Sequence, residues 1–118
     1  MNWYKFSQIT INDIAEKWRR KGITLFLFED ENTIVVDSLI VPKEMRKQGI
    51  GTEIMQEITN YADKHKKRIE LSPGQKDDRH GTTSRKRLID FYKRLGLVEN
   101  KGRYKDYTTN KTMYRDFK

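Results

Sequence analysis

Cysteine is absent from the 118 residues. That one absence removes disulfides, thiolate metal sites and any acyl-cysteine intermediate. It also fits a reducing compartment, the cytoplasm. Histidine occurs only as His65 and His80, too few for a histidine-based centre, so no metal is expected. No apolar run approaches the roughly 18 residues of a membrane span, and Met1–Phe6 lacks the apolar stretch of a signal peptide. Apolar residues make up 35% of the chain and charged residues 36%, so the core is lean and the surface heavily charged. The length suits a single domain over residues 1–118, with no internal repeat or linker.

What is present is basic charge, unevenly placed. The net charge is +8. Residues 1–78 are balanced, whereas residues 79–118 carry 12 Lys and Arg against four acids, Asp90, Glu99, Asp106 and Asp116. A cluster of this kind suits a polyanionic ligand or partner. One reading is nucleic acid, with Tyr104, Tyr107 and Tyr114 as stacking groups.

The pattern of elements runs as follows. A short strand is expected over residues 3–8. Thr10 reads as an N-cap with Asp13 at the capping-box position, and Ile11, Ile14, Ala15 and Trp18 repeat on one helix face. Gly22 closes that helix. Ile23–Phe28 and Thr33–Val41 read as an antiparallel hairpin turned by Asp30–Asn32. A second helix places Ile50, Ile54, Ile58, Tyr61 and Ala62 on one face, with Met55 at its edge. Ile69–Leu71 is a short strand, parallel to the earlier one because a helix connects them. Gln75–Gly81 is a polar loop carrying His80. A third helix begins near Thr83, stacks Leu88, Tyr92 and Leu95, and ends at Gly96. Leu97–Val98, Arg103–Thr108 and Thr112–Phe117 read as a strand meander. Trp3, Trp18 and Phe26 are assigned to the core. The expected fold is α/β: a mixed, mostly antiparallel sheet with helices on both faces.

Between the strand ending at Val41 and the second helix lies Arg46-Lys-Gln-Gly-Ile-Gly51-Thr52. A strand, a glycine-containing loop and a helix N-terminus together make an anion cradle. The first-turn N–H groups lack intrahelical partners, the macrodipole is positive there, and glycines let a phosphate approach the backbone. The spacing is not that of a P-loop, and the dinucleotide fingerprint lacks its third glycine.

Pro42-x-x-x-Arg46-x-x-Gly49-Ile50-Gly51 and Leu88-Ile-Asp-Phe91-Tyr92-Lys-Arg-Leu95-Gly96-Leu97, in this order, resemble the two cofactor-binding motifs of the GNAT superfamily of N-acetyltransferases. The similarity covers about residues 23–118. The segment from Ser72 to Tyr114 also resembles small phage- and prophage-encoded GNAT-like proteins. The resemblance implies acetyl-CoA as cosubstrate and an unidentified amine as acceptor. Arg46, Gly49 and Gly51, with backbone N–H groups of Lys47, Gln48, Ile50 and Thr52, would bind its diphosphate. Backbone groups of Leu39 and Val41 would pair with the pantetheine arm. Strands 34–41 and 68–72 would splay to admit the thioester. Tyr92 would protonate the leaving thiolate, and Arg85 would reach a phosphate. Lys47 stands where the family often has a small residue, and Arg85 where it commonly has Asn. Lys101 and Lys105 are expected to face the acceptor side or solvent.

Amine acetylation also needs a base. Asp37 interrupts an apolar strand and is the candidate if buried or in a cleft; facing water, it has no such role. Glu70 poses the same alternatives on the next strand, and Ser72 either acts through water or ends its strand. The expected activity is N-acetyl transfer by direct attack in a ternary complex. The rivals are a CoA-holding module without catalysis and a nucleic-acid-binding protein. No membrane partner is expected, and the chain is expected to be a monomer or homodimer.

Overall fold

Thr10 starts helix α1 (Ile11–Arg19) through a capping box. The Asp13 N–H donates to Thr10 Oγ1 at 3.1 Å, and the Thr10 N–H donates to Asp13 Oδ2 at 2.9 Å. The computed structural model describes residues 9–46, 48–74 and 85–118. The expected strand at residues 3–8, the Gln75–Gly81 loop, the helix start near Thr83, and Trp3, Lys47 and His80 lie outside the described residues.

Strands β1 (Thr24–Glu29) and β2 (Thr33–Ile40) form the expected antiparallel hairpin. Their register slips between Phe26 and Leu27: Phe26 faces Ser38 and Leu27 faces Val36, which leaves Asp37 as the extra residue of a β-bulge. A single 3₁₀ turn (Lys43–Met45) leads to helix α2 (Ile50–Lys64) and strand β3 (Arg68–Leu71), which pairs parallel to β2. Helix α3 (Arg85–Arg94) is followed by β4 (Val98–Glu99) and β5 (Met113–Arg115). The sheet order is β1-β2-β3-β5-β4, and only the β2–β3 pair is parallel. The mixed, mostly antiparallel α/β arrangement is therefore the one expected.

Strand alternation sends Leu25, Leu27, Ile34, Val36, Ile69, Leu71 and Met113 into one core, where they meet Trp18 of α1, Ile54, Met55 and Ile58 of α2, and Tyr92 of α3. Met55 is fully buried rather than peripheral. The described helices thus all bury their apolar sides in that one cluster. Over the opposite sheet face lies the loop around Tyr107–Lys111, near Val35 and Glu70. Phe26 is not core: it is 47% exposed, because it alternates with Leu25 and Leu27 on the uncovered side of an edge strand.

Residues 103–108 do not form the expected strand. Tyr104, Tyr107 and Thr108 have strand propensity, but side chains satisfy the backbone locally. Asn100 Nδ2 donates to the carbonyls of Asp106 and Lys111, and the Asp106 N–H donates to Asn100 Oδ1. Asp106 accepts from the Thr108 hydroxyl and N–H and from Arg68, and these bonds lower its carboxyl to about 2.

The three described α-helices end the same way. A left-handed residue (Gly22, Lys66, Gly96) is followed by an N–H that reaches back five residues: Ile23 to Trp18, Lys67 to Ala62, Leu97 to Tyr92. This is the Schellman closure. Glycine occupies two of the three positions, and Lys66 holds φ 56°. A side chain in that region costs about 1 kcal/mol relative to glycine. Lys66→Gly is therefore expected to stabilise the protein by about 0.5–1 kcal/mol, less than the full strain because glycine also loosens the unfolded chain. Urea unfolding reads this, and an unchanged or lower midpoint contradicts it.

Candidate acyl-donor site

Gly49 begins α2 in the left-handed region, at φ 75°, where any other residue is strained. No side chain caps this helix, so the N–H groups of its first residues remain to be satisfied. A cavity of about 460 Å³ opens there. Gly49, Ile50, Gly51 and Thr52 line one end of it, beside Met45 and Arg46. Gly51 is packed under Phe91 of α3: a Cβ at Gly51 would meet the Phe91 ring at 3.5 Å. The loop, the helix start and α3 therefore close on one another without a side chain between them.

Leu39, Ile40 and Val41 form a second wall. The β2–β3 pairing ends at Val36 and Leu71, so beyond that point β2 has no partner strand on this side among the described residues. Strand β3 itself ends at Leu71, where the splay implied by the resemblance would begin. One carbonyl is already engaged, since Arg46 Nε donates to Val41 O at 2.9 Å.

α3 supplies the third wall through Arg87, Leu88, Phe91, Tyr92 and Arg94. Tyr92 is 6% exposed, and burial pushes its phenol up to about 12. It makes no side-chain hydrogen bond among the described residues.

Of the residues read from the sequence, Leu39, Val41, Arg46, Gly49, Ile50, Gly51, Thr52 and Tyr92 come together around this cavity. Gln48 is exposed and outside its lining, and so is Arg85. The cations that α3 turns toward the cavity are Arg87 and Arg94 instead. Arg87, Phe91 and Arg94 fall at i, i+4 and i+7, one helical stripe, and that spacing is the signal that could have found them. Lys101 and Lys105 lie away from the cavity, and Lys101 pairs with Glu99 at 3.4 Å.

Asp37 is exposed at the bulge and lines neither this cavity nor the polar one across the sheet. The burial on which its role as a base was argued is not found, because the bulge turns it out of the pleat. Ser72 ends its strand by accepting from the Thr112 N–H at 3.1 Å.

The family model for the acetyltransferase (GNAT) domain matches residues 14–99. The chain belongs to the GNAT superfamily. No curated protein matches its sequence. Solved structures share the GNAT fold at low identity. The anti-CRISPR protein AcrVA5 is 21% identical with a TM-score of 0.60, covering 78% of this chain and 87% of that one. A putative N-acetyltransferase from Lactobacillus plantarum is 16% identical with a TM-score of 0.55, covering 80% and 60%. Arabidopsis thaliana Naa50, in complex with the bisubstrate analogue CoA-Ac-MVNAL, is 18% identical with a TM-score of 0.53, covering 80% and 64%. The chain thus spans under two-thirds of the length of the last two. Binding of acetyl-CoA is a property of the GNAT family. Among the described residues, no helix is long and apolar enough to cross a membrane.

Proposed function

We propose that this GNAT protein is an N-acetyltransferase that moves an acetyl group from acetyl-CoA to a primary amine by direct attack in a ternary complex. The observation that carries the reading is the convergence on one cavity of an uncapped helix start, the unpaired end of β2 and a buried tyrosine. The donor's chemistry fits each wall. The N–H groups at Gly49–Thr52 and the cation of Arg46 suit a diphosphate. Leu39 and Val41 offer backbone groups to an amide-bearing arm, as an added strand would use them. Arg87 and Arg94 suit further phosphate charge.

Tyr92 holds its proton at neutral pH, as its raised phenol requires. Complete transfer to a thiolate of ordinary basicity, near 8.5, is uphill by about three to four units, roughly 5 kcal/mol. Its main effect is therefore a hydrogen bond to charge developing on sulfur, with the proton moving as the C–S bond breaks. With no cysteine in the chain, the acetyl group passes to the acceptor without an acyl-cysteine stage.

Titration calorimetry with acetyl-CoA tests the donor site. Binding is expected for the wild type, and its absence at millimolar ligand removes both the enzyme and the CoA-module readings. Arg46→Ala is expected to weaken binding by about 1.5–3 kcal/mol, the range for a charge-assisted contact. Arg94→Ala is expected to weaken it less and in a salt-dependent way, and Arg85→Ala to leave it unchanged. Equal losses from Arg85→Ala and Arg94→Ala would mean a diffuse field rather than a stripe on α3.

One observation favours a second reading. Tyr104 and Tyr107 are 86% and 82% exposed, beside Lys101, Arg103 and Lys105, as in a stacking platform for single-stranded nucleic acid. Salt-dependent binding to a single-stranded oligonucleotide, with no acetyl-CoA binding, would make this the primary function.

A further inference from the structure

Beyond α3 the chain carries three acidic side chains, and each is held by a cation. Glu99 pairs with Lys93 and Lys101 at 3.0 and 3.4 Å, and Asp106 and Asp116 both pair with Arg68 at 2.7 Å. Arg68 belongs to β3, so one guanidinium of the sheet occupies two carboxylates of the C-terminal stretch. Arg103 and Lys105 are exposed and make no ion pair among the described residues. The basic excess read from the sequence is therefore presented outward at this loop.

Two aromatic rings stand between those cations. The Lys105 N–H donates to Gly102 O at 3.2 Å and closes a turn with Arg103 and Tyr104 at its corners. The Thr108 N–H donates to Asp106 Oδ1 at 2.8 Å, a second turn with Tyr107 at its corner. The rings of Tyr104 and Tyr107 are 86% and 82% exposed, and Lys105 Nζ lies 5.1 Å from the Tyr107 centroid. Both turns are anchored from below. Asn100, 7% exposed, bonds to Asp106 and Lys111, and the Thr109 hydroxyl donates to Glu70 at 2.9 Å. The rings are thus displayed on a framework already ordered, which lowers the cost of binding. Tyr114 does not join them: it is partly buried, with the Arg68 guanidinium 4.3 Å from its centroid.

We infer that this loop is a second ligand site of the same protein: it binds single-stranded nucleic acid while the donor cavity keeps its own ligand. Each tyrosine stacks one base, and Arg103 and Lys105 take the flanking phosphates. A duplex is a poorer fit, since its bases are already stacked on one another. Residues 101–112 contain no apolar side chain apart from the two tyrosines, so the loop has no wedge to sink into a bilayer. An acidic peptide would use the cations and leave the rings idle. None of these residues lines the donor cavity, so neither ligand excludes the other.

The test is fluorescence anisotropy with labelled single strands of about 12 nucleotides, one DNA and one RNA of mixed sequence. The wild type is expected to bind at least one of them, with a log–log salt slope of about −1.4 for two phosphates. Tyr104→Ala and Tyr107→Ala are each expected to weaken binding about tenfold, and the Phe variants to retain it. Arg103→Ala is expected to flatten the salt slope by about 0.7. Saturating acetyl-CoA is expected to shift the affinity by less than about twofold. Binding unchanged in the double Tyr→Ala variant overturns the inference. So does equal affinity for a duplex of the same length, tighter binding to polyglutamate or to anionic lipid vesicles, or displacement of the strand by acetyl-CoA. Calorimetry with acetyl-CoA separates the two sites: a wild type that binds the strand and not acetyl-CoA brings down the acetyltransferase reading and leaves this site standing.

Discussion

Tyr92→Phe is expected to lower kcat by about 100-fold and leave acetyl-CoA affinity unchanged. The phenol is 6% exposed and lines the donor cavity without a hydrogen-bond partner among the described residues. Losing the hydroxyl removes no hydrogen bond among the described residues, and the ring keeps its packing with Phe91 at 5.1 Å. An interaction made only as the thiolate forms affects kcat and not ground-state binding. Its size follows from general acid catalysis, typically 10² to 10⁴-fold. Steady-state kinetics paired with calorimetry read both quantities. Wild-type kcat in the Phe variant would make Tyr92 a core aromatic and nothing more.

Asp63→Ala is expected to destabilise the fold by about 3 kcal/mol at pH 7. Arg115 is buried, its side chain 8% exposed, and two of its nitrogens donate to Asp63 at 2.9 and 3.0 Å. Its Nε is already without a partner. Removing the carboxylate strands a buried cation, which costs about 3–5 kcal/mol; the partial exposure of Asp63, 29%, lets water in and places the value at the low end. The Lys118 N–H also donates to Asp63, so the chain's last residue loses its anchor too. Against a typical total of about 5–15 kcal/mol, this is a large share. The pH dependence has a definite sign. The hydrogen bond from Arg115 holds the Asp63 carboxyl below its ordinary value, so its contribution is full above about pH 4 and is lost as pH falls through the depressed value. Urea unfolding at pH 7 and pH 3 is expected to show the gap between wild type and variant narrowing in acid. A gap of equal size at both values would locate the effect elsewhere.

The sequence made the donor side legible because that side is built from backbone. Gly49 and Gly51 before an apolar repeat specify a loop and a helix start wherever they occur, and the capping box at Thr10 and Asp13 is equally local. Less was visible where long-range partners decide. Tyr104 and Tyr107 suggest a strand, yet Asn100 and Asp106 supply the bonds a neighbouring strand would have made. Arg85 looked right by position, but the helical turn hands its place to Arg87 and Arg94. Asp37 depended on a one-residue register slip opposite Phe26 and Leu27, which periodicity does not reveal. Phe26 was misassigned for a related reason: apolar residues on both faces of an edge strand do not say which face is covered.

The three helix closures leave no slack. In each, a single residue separates the left-handed position from a strand: Ile23 before Thr24, Lys67 before Arg68, Leu97 before Val98. Adding one residue at such a joint turns every side chain of the following strand to the other face. It would send Leu25, Ile69 or their neighbours out of the core. Among the described residues, changes in chain length are therefore expected in irregular stretches such as the Asp30–Asn32 turn and Lys101 to Lys111 rather than at these joints. The second of these stretches borders the polar cavity across the sheet, so drift in chain length there reshapes that cavity.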